Sequence, residues 1–130
     1  MVLTNAIVCL AAAVYFEARG EPLVGQVAVA KVVMNRVVSP DHPKSVCDVV
    51  RHKVKATCAF SFVCEKDKLD VVDMNAWRSS MHIASLVFNG KLTDPTHGAT
   101  FFHSVSVQPR WEKVKVTTRI GNHVFYRREQ

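Results

Sequence analysis

The stretch A-I-V-C-L-A-A-A-V-Y-F-E-A-R-G-E-P (6–22) decides how the chain is read. Leu3, Ala6/Ile7, Leu10, Ala13/Val14 and Glu17 recur at steps of three and four, tracing one face of an α-helix. Thr4 or Asn5 is placed to cap its start, and Gly20, two residues before Pro22, stops it. The apolar run 6–16 also has the look of a signal-peptide core. No Lys or Arg precedes it, however, a charged segment follows at once, and it is too short to span a bilayer. It is read as a core helix, and the chain as carrying no recognisable export signal or anchor.

Outward from this helix, Val24–Val38 reads as a second one with a stripe of Val27, Ala30, Met34 and Val37, ended by Ser39-Pro40. A short helix is expected at Val46–His52, and an irregular or hairpin-like stretch over 53–70. Met74–Phe88 reads as a third strong helix, capped by Asp73 and closed by Asn89-Gly90, with Met74, Trp77, Met81, Ala84/Ser85 and Phe88 as its stripe and Trp77 in the core. The period then changes. A-T-F-F-H (99–103) reads as a strand, K-V-K-V-T-T-R-I (113–120) alternates with period two, and Gly121-Asn122 fits a tight turn to a returning strand H-V-F-Y-R. The expected fold class is α+β: one domain over 1–130, helical to about residue 90, then a small antiparallel sheet.

The 130 residues, 48% hydrophobic and 22% charged, suit one soluble globular domain. A net charge of +6 and a pI near 9.4 favour polyanionic partners without choosing among nucleic acid, membrane and cell wall. Lys113, Lys115, Arg119, Arg127 and Arg128 concentrate that charge near the end. Of the four cysteines, Cys9 reads as a buried thiol. One bridge among Cys47, Cys58 and Cys64 is open in an oxidising compartment, with Cys58 and Cys64 closest but the pairing unfixed.

Glu17 extends the apolar face of the first helix, so its carboxylate is partly desolvated and its pKa raised. Such a group holds a proton near neutral pH and can protonate a glycosidic oxygen. A helix-end Glu paired with Arg19 or another arginine is the plainer alternative, and spacing does not choose.

The block Y-F-E-A-R-G-E-P-L-V-G-Q-V-A-V-A-K-V-V-M-N-R-V (15–37) closely resembles the signature of the cell wall hydrolase family typified by spore-cortex-lytic enzymes, which includes many phage endolysins. V-C-D-V-V (46–50), C-A-F-S-F-V-C (58–64), D-P-T-H-G-A-T-F-F-H (94–103) and R-I-G-N-H-V-F-Y (119–126) follow in the family's order. The resemblance implies a lysozyme-like helical half. It also implies cleavage between N-acetylmuramic acid and N-acetylglucosamine by lytic transglycosylation, without a cofactor, and carries the acid/base role onto Glu17. The sequence shows no evident second carboxylate, which suits a reaction whose nucleophile is the substrate's own hydroxyl rather than a two-carboxylate glycosidase. Glu21 is the rival carboxylate, with a cap or a partner of Arg19 or Arg36 as its plain reading.

Further substrate contacts are expected at Gln26, as an amide in an apolar stretch, and at Phe60 and Ser61. There A-F-S-F has Ala59 where the family usually shows Gln. His103 is expected to line the cleft and bond sugar or Glu17, with Phe101 on its face of the strand and Phe102 on the other. Trp111, in the loop after Pro109-Arg110, offers a stacking surface, and Arg119 falls inside a family block. Peptidoglycan glycan strands are the expected partner, with anionic wall or outer-membrane polymers second. Nucleic acid is not expected, nor an oligomer. A zinc amidase using His97, His103 and His123 lacks matching spacings, and a basic binding module is the non-enzymatic alternative. Compactness without an evident leader suits a phage endolysin made in the host cytoplasm and acting on the wall.

Overall fold

Asn5 starts the first helix, α1 (Ala6–Ala18), by accepting the backbone N–H groups of Ile7 and Val8 at 2.9 and 3.3 Å. The computed structural model, which describes residues 3–65, 70–107, 109 and 111–129, continues through α2 (Leu23–Val38) and α3 (Val46–Val50). The strands β1 (Lys53–Val54) and β2 (Thr57–Cys58) follow, then α4 (Ser61–Cys64), α5 (Met74–Phe88), β3 (Phe101–Ser104), β4 (Val114–Ile120) and β5 (His123–Arg128). The expected short helix ends at Val50 rather than His52. The stretch after it holds a two-residue hairpin and a single helical turn, so the helical half has a small β element of its own. Residues 66–69 and Arg110 lie outside the described residues.

α1 is not the one-faced helix its spacing suggests. Cys9 through Tyr15 and Ala18 are all buried, because α2, α3 and α5 pack around it. The run Ala11-Ala12-Ala13 makes this possible: small side chains let neighbours approach on every side. Tyr15 spends its hydroxyl inside this packing. It accepts the backbone N–H groups of Val72 and Asp73 at 3.1 Å each, and Arg19 also donates to it. The turn that opens α5 is thereby fixed to the end of α1.

α5 is rotated from expectation. Its buried face is Ser80, Ile83, Ala84 and Val87, whereas Met74 and Phe88 are 53% and 41% exposed. Trp77 and Met81 on one side of the helix and Ile83 and Val87 on the other are all apolar, so periodicity leaves the rotation open. Trp77 is half-buried at the edge of the core, edge-on to Tyr15 with ring centroids 5.8 Å apart.

The cysteines depart from expectation at Cys9 and Cys47. Cys9 is no free thiol: it is bonded to Cys47, tying α1 to α3 across 38 residues of sequence. Cys58 and Cys64 form the second bridge, closing the β2–α4 segment.

α2 joins the two halves. Ala30 and Val33 are buried in the main core with Val27, Met34 and Val37 packed against it. Ala28 and Val32 belong instead to a second, smaller core with Ala99 and Phe125 beneath the sheet. That sheet is antiparallel in the order β3-β5-β4, with Phe101 opposite Tyr126 and Ile120 opposite His123. A bulge lies between Val116 and Thr118. The loop before β3 is built on Asp94, which accepts bonds from the Thr96 N–H and hydroxyl at 2.8 and 2.7 Å and the Gly98 N–H at 3.1 Å. Asn35 of α2 binds the same carboxylate and the Ala99 carbonyl, each at 2.9 Å. The D-P-T-H-G block is thus a structural loop that sets β3 against α2.

Candidate active site

Glu17, on the last turn of α1, opens into a cleft of about 430 Å³ between the helical half and the sheet. Arg36 of α2 forms one wall; Cys58 to Ser61, held by the Cys58–Cys64 bridge, form a second; β3, Trp111 and His123 form the third. Burial pushes the Glu17 carboxyl up to about 7. The negative charge of Glu65 pushes the same way, and Arg36 partly opposes both. Arg36 is itself lowered to about 10 by burial, against the pull of Glu17. Among the described residues lining the cleft, Glu17 is the one carboxylate.

The expected residues divide into two groups. Phe60, Ser61 and His103 line the cleft with Glu17, and Trp111 lies over it. Phe60 is 1% exposed, its ring 6.2 Å from those of Phe62 and Phe102, so it is both wall and core. Ser61 is exposed at the first position of α4. Trp111 is 40% exposed and rests on Phe101, His103 and Tyr126, with ring centroids 5.1, 5.8 and 5.6 Å away. Phe101 faces a neighbouring cavity of similar size that shares Arg36, Cys58, Ala59 and Trp111 with the first, so the two make one groove. The strand alternation holds: Phe101 and His103 meet Trp111, while Phe102 packs on Phe125 and His123. His103 does not bond Glu17. Its Nδ1 lies 2.6 Å from the Ser104 carbonyl and its Nε2 2.7 Å from the Tyr126 hydroxyl.

Glu21, Gln26 and Arg119 lie elsewhere. The Glu21 carboxylate crosses to the β4–β5 turn, accepting the Asn122 backbone N–H at 2.8 Å and its side-chain amide at 3.2 Å. That turn requires Gly121: φ is +57°, and a Cβ there would stand 2.6 Å from Glu21 Oε1. The Gln26 amide donates to the Glu21 backbone carbonyl at 2.9 Å and so braces the same junction. Arg119 projects from β4 and is exposed, outside the residues that line the groove. The histidines considered for metal do not converge. His97 sits exposed in the Asp94 loop, His103 is bonded as above, and His123 faces Glu21.

Two residues of the cleft escaped the sequence reading as site residues. Arg36 is 8% exposed; its Nε donates to the Thr100 carbonyl at 2.7 Å, and its guanidinium lies over the Phe60 ring at 5.4 Å. An arginine inside a helix otherwise rich in valine and alanine was the available signal. His123 is 7% exposed, its Nδ1 3.7 Å from Glu21 Oε1 and without a hydrogen bond. Burial holds its pKa below the usual value although Glu21 opposes this. From sequence it was weighed only as a metal ligand, and its place in the cleft depends on how the sheet meets the helices.

Residues 20–126 match the cell wall hydrolase family. The spore cortex-lytic enzyme of Halalkalibacterium halodurans is 37% identical over 124 residues, which cover 93% of this chain and 34% of that protein. That of Bacillus subtilis is 34% identical, covering 93% and 37%. The chain thus spans roughly a third of the length of these curated relatives. The catalytic domain of the Bacillus cereus SleB protein superposes with a TM-score of 0.69 at 32% identity, over 93% of this chain and 88% of that one. The catalytic domain of the germination-specific lytic transglycosylase SleB from Bacillus anthracis gives 0.71 at 32% identity, over 94% and 93%. The mixed helical and antiparallel architecture is therefore the lysozyme-like one of these domains, and the chain belongs to the cell wall hydrolase family.

Proposed function

We propose that the chain cleaves peptidoglycan between N-acetylmuramic acid and N-acetylglucosamine as a lytic transglycosylase. The observation that carries this is Glu17, a carboxyl raised to about 7 and the one carboxylate among the described residues lining its cleft. In its protonated form Glu17 gives its proton to the bridging oxygen as the bond to muramic acid C1 breaks. The muramic acid C6 hydroxyl bonds to C1, and its proton returns to Glu17. The product is a 1,6-anhydro end, formed without water. The exposed indole of Trp111 over the groove supplies a flat surface for a sugar ring. The relatives named above, one of them a lytic transglycosylase, support the same assignment.

A hydrolytic reading has one observation in its favour: Glu65 is close enough to raise the pKa of Glu17 and is thus a candidate second carboxylate. Mass spectrometry of released muropeptides separates the two. Anhydro ends are expected; reducing ends, heavier by one water, would overturn the transglycosylase. The Glu17→Gln protein is expected to lose about 100- to 10,000-fold in rate while staying folded, and activity should survive a chelator. For setting, lysis of a bacterial wall by a phage endolysin, made in the host cytoplasm as a monomer and drawn to anionic wall or outer-membrane polymers, fits the net charge of +6. The two disulfides would close where thiols are oxidised, outside that cytoplasm.

A further inference from the structure

Arg36 presents a charge that the protein itself leaves incomplete. Arg36 is only 8% exposed, yet among the described residues only its Nε has a hydrogen-bond partner, the Thr100 carbonyl. Its influence on Glu17 is electrostatic and falls short of an ion pair. The two terminal amino groups carry four N–H donors with no protein acceptor. These donors open onto the groove, where a ligand can take them up. Arg36 lines both halves of the groove, at the point where the Glu17 cavity meets the one bounded by Phe101 and Trp111. The rings of Phe60 and Phe101 lie 5.4 and 5.9 Å from the guanidinium carbon. Beside His52, the other titratable groups lining the second cavity add little net charge: Arg128 pairs with Asp41 at 3.3 Å, and burial brings the His42 pKa down to about 4, so it is neutral.

We propose that Arg36 receives a carboxylate of the substrate, carried on the C3 lactyl arm of the muramic residue cleaved at Glu17. The carboxylate is either that of the lactyl group itself or one on a peptide extending it. A planar guanidinium with two free amino groups matches a carboxylate with two parallel bonds. The arm hangs from the sugar ring whose C1 reacts. The second cavity, of about 430 Å³, has room for what the arm bears. The inference rests on the transglycosylase reading of the site and adds to it a determinant of which strands are taken.

The test uses the intact protein and four glycan substrates. Strands stripped of peptide by an amidase carry free lactyl carboxylates, and a second portion is converted to neutral methylamides. Peptide-bearing strands are used unmodified and with their peptide carboxylates methylamidated. Chromatography of released fragments gives kcat/KM. Neutralising the carboxylate that Arg36 receives is expected to lower kcat/KM about 10- to 100-fold. The loss should fall in the stripped pair if the lactyl group is the ligand and in the peptide pair if the peptide is. The Arg36→Gln protein, if folded by circular dichroism, should cleave both members of the sensitive pair at one low rate, with Arg36→Lys partly restoring the preference. Equal cleavage within both pairs by the unsubstituted protein overturns the proposal and leaves the glycosidic reading intact. Cleavage of none of the four overturns both.

Discussion

Glu17 shows how one residue takes its chemistry from its surroundings. A carboxyl of ordinary pKa 4.5 is raised to about 7 because α1 carries it into the protein interior, with Glu65 adding a like charge and Arg36 subtracting from the effect. Acid catalysis requires the protonated form, so the rate should hold up to about pH 7 and fall tenfold per unit above it. Glu65→Gln should move that alkaline limb to lower pH, and rate–pH profiles of the two proteins check this. The same shift acts on stability with a definite sign. The proton is bound more tightly in the folded state, so the stabilisation is full below pH 4.5 and is lost as pH rises through about 7. Its size is on the order of 3 kcal/mol. Urea melts at pH 8 should therefore find Glu17→Gln more stable than the parent protein while it is inactive.

At the scale of elements, what was local in origin was legible. Asn5, Asp73 and Gly121 announce helix starts and a turn through their own side chains or backbone freedom, and all three do so in the structure. The strand alternation that sets Phe101 and His103 against Trp111 and Phe102 against Phe125 was likewise readable from period two. Contacts across long stretches of sequence were not. The rotation of α5 depends on which face its neighbours cover, and the Cys9–Cys47 bridge on how α1 and α3 happen to meet. Arg36 and His123 come to the cleft from elements 87 residues apart in numbering, 36 to 123. The bridge gives this scale its prediction. It closes a loop of 38 residues, so Cys9→Ser with Cys47→Ser should cost about 4 kcal/mol, read from denaturant melts under oxidising conditions.

For the whole molecule, the two cores differ greatly in extent. The helical half surrounds α1, whereas the sheet rests on Ala28, Val32, Ala99 and Phe125 with Phe102 and Ile120 at the margin. Polar contacts that span the chain add to this: Glu21 to Asn122, Arg36 to Thr100, Asn35 to Ala99 and Asp41 to Arg128. Native-state hydrogen exchange should find β3, β4 and β5 opening as a unit at lower free energy than α1. Glu21→Ala should lower the sheet's opening energy by about 1–3 kcal/mol and leave α1 unchanged. Protection that is uniform across both halves would contradict this account.

The small apolar footing of the sheet bears on how a polymer gains entry. A glycan strand of a cross-linked wall offers few free ends, so under the proposed function it would have to enter the groove from the side. One flank of the groove, formed by β3, Trp111 and His123, belongs to the loosely founded half, while the acid stands on the firmly packed one. If the proposed reaction holds, such a division would keep the proton donor in place while the opposite flank adjusts to the bulk of the strand.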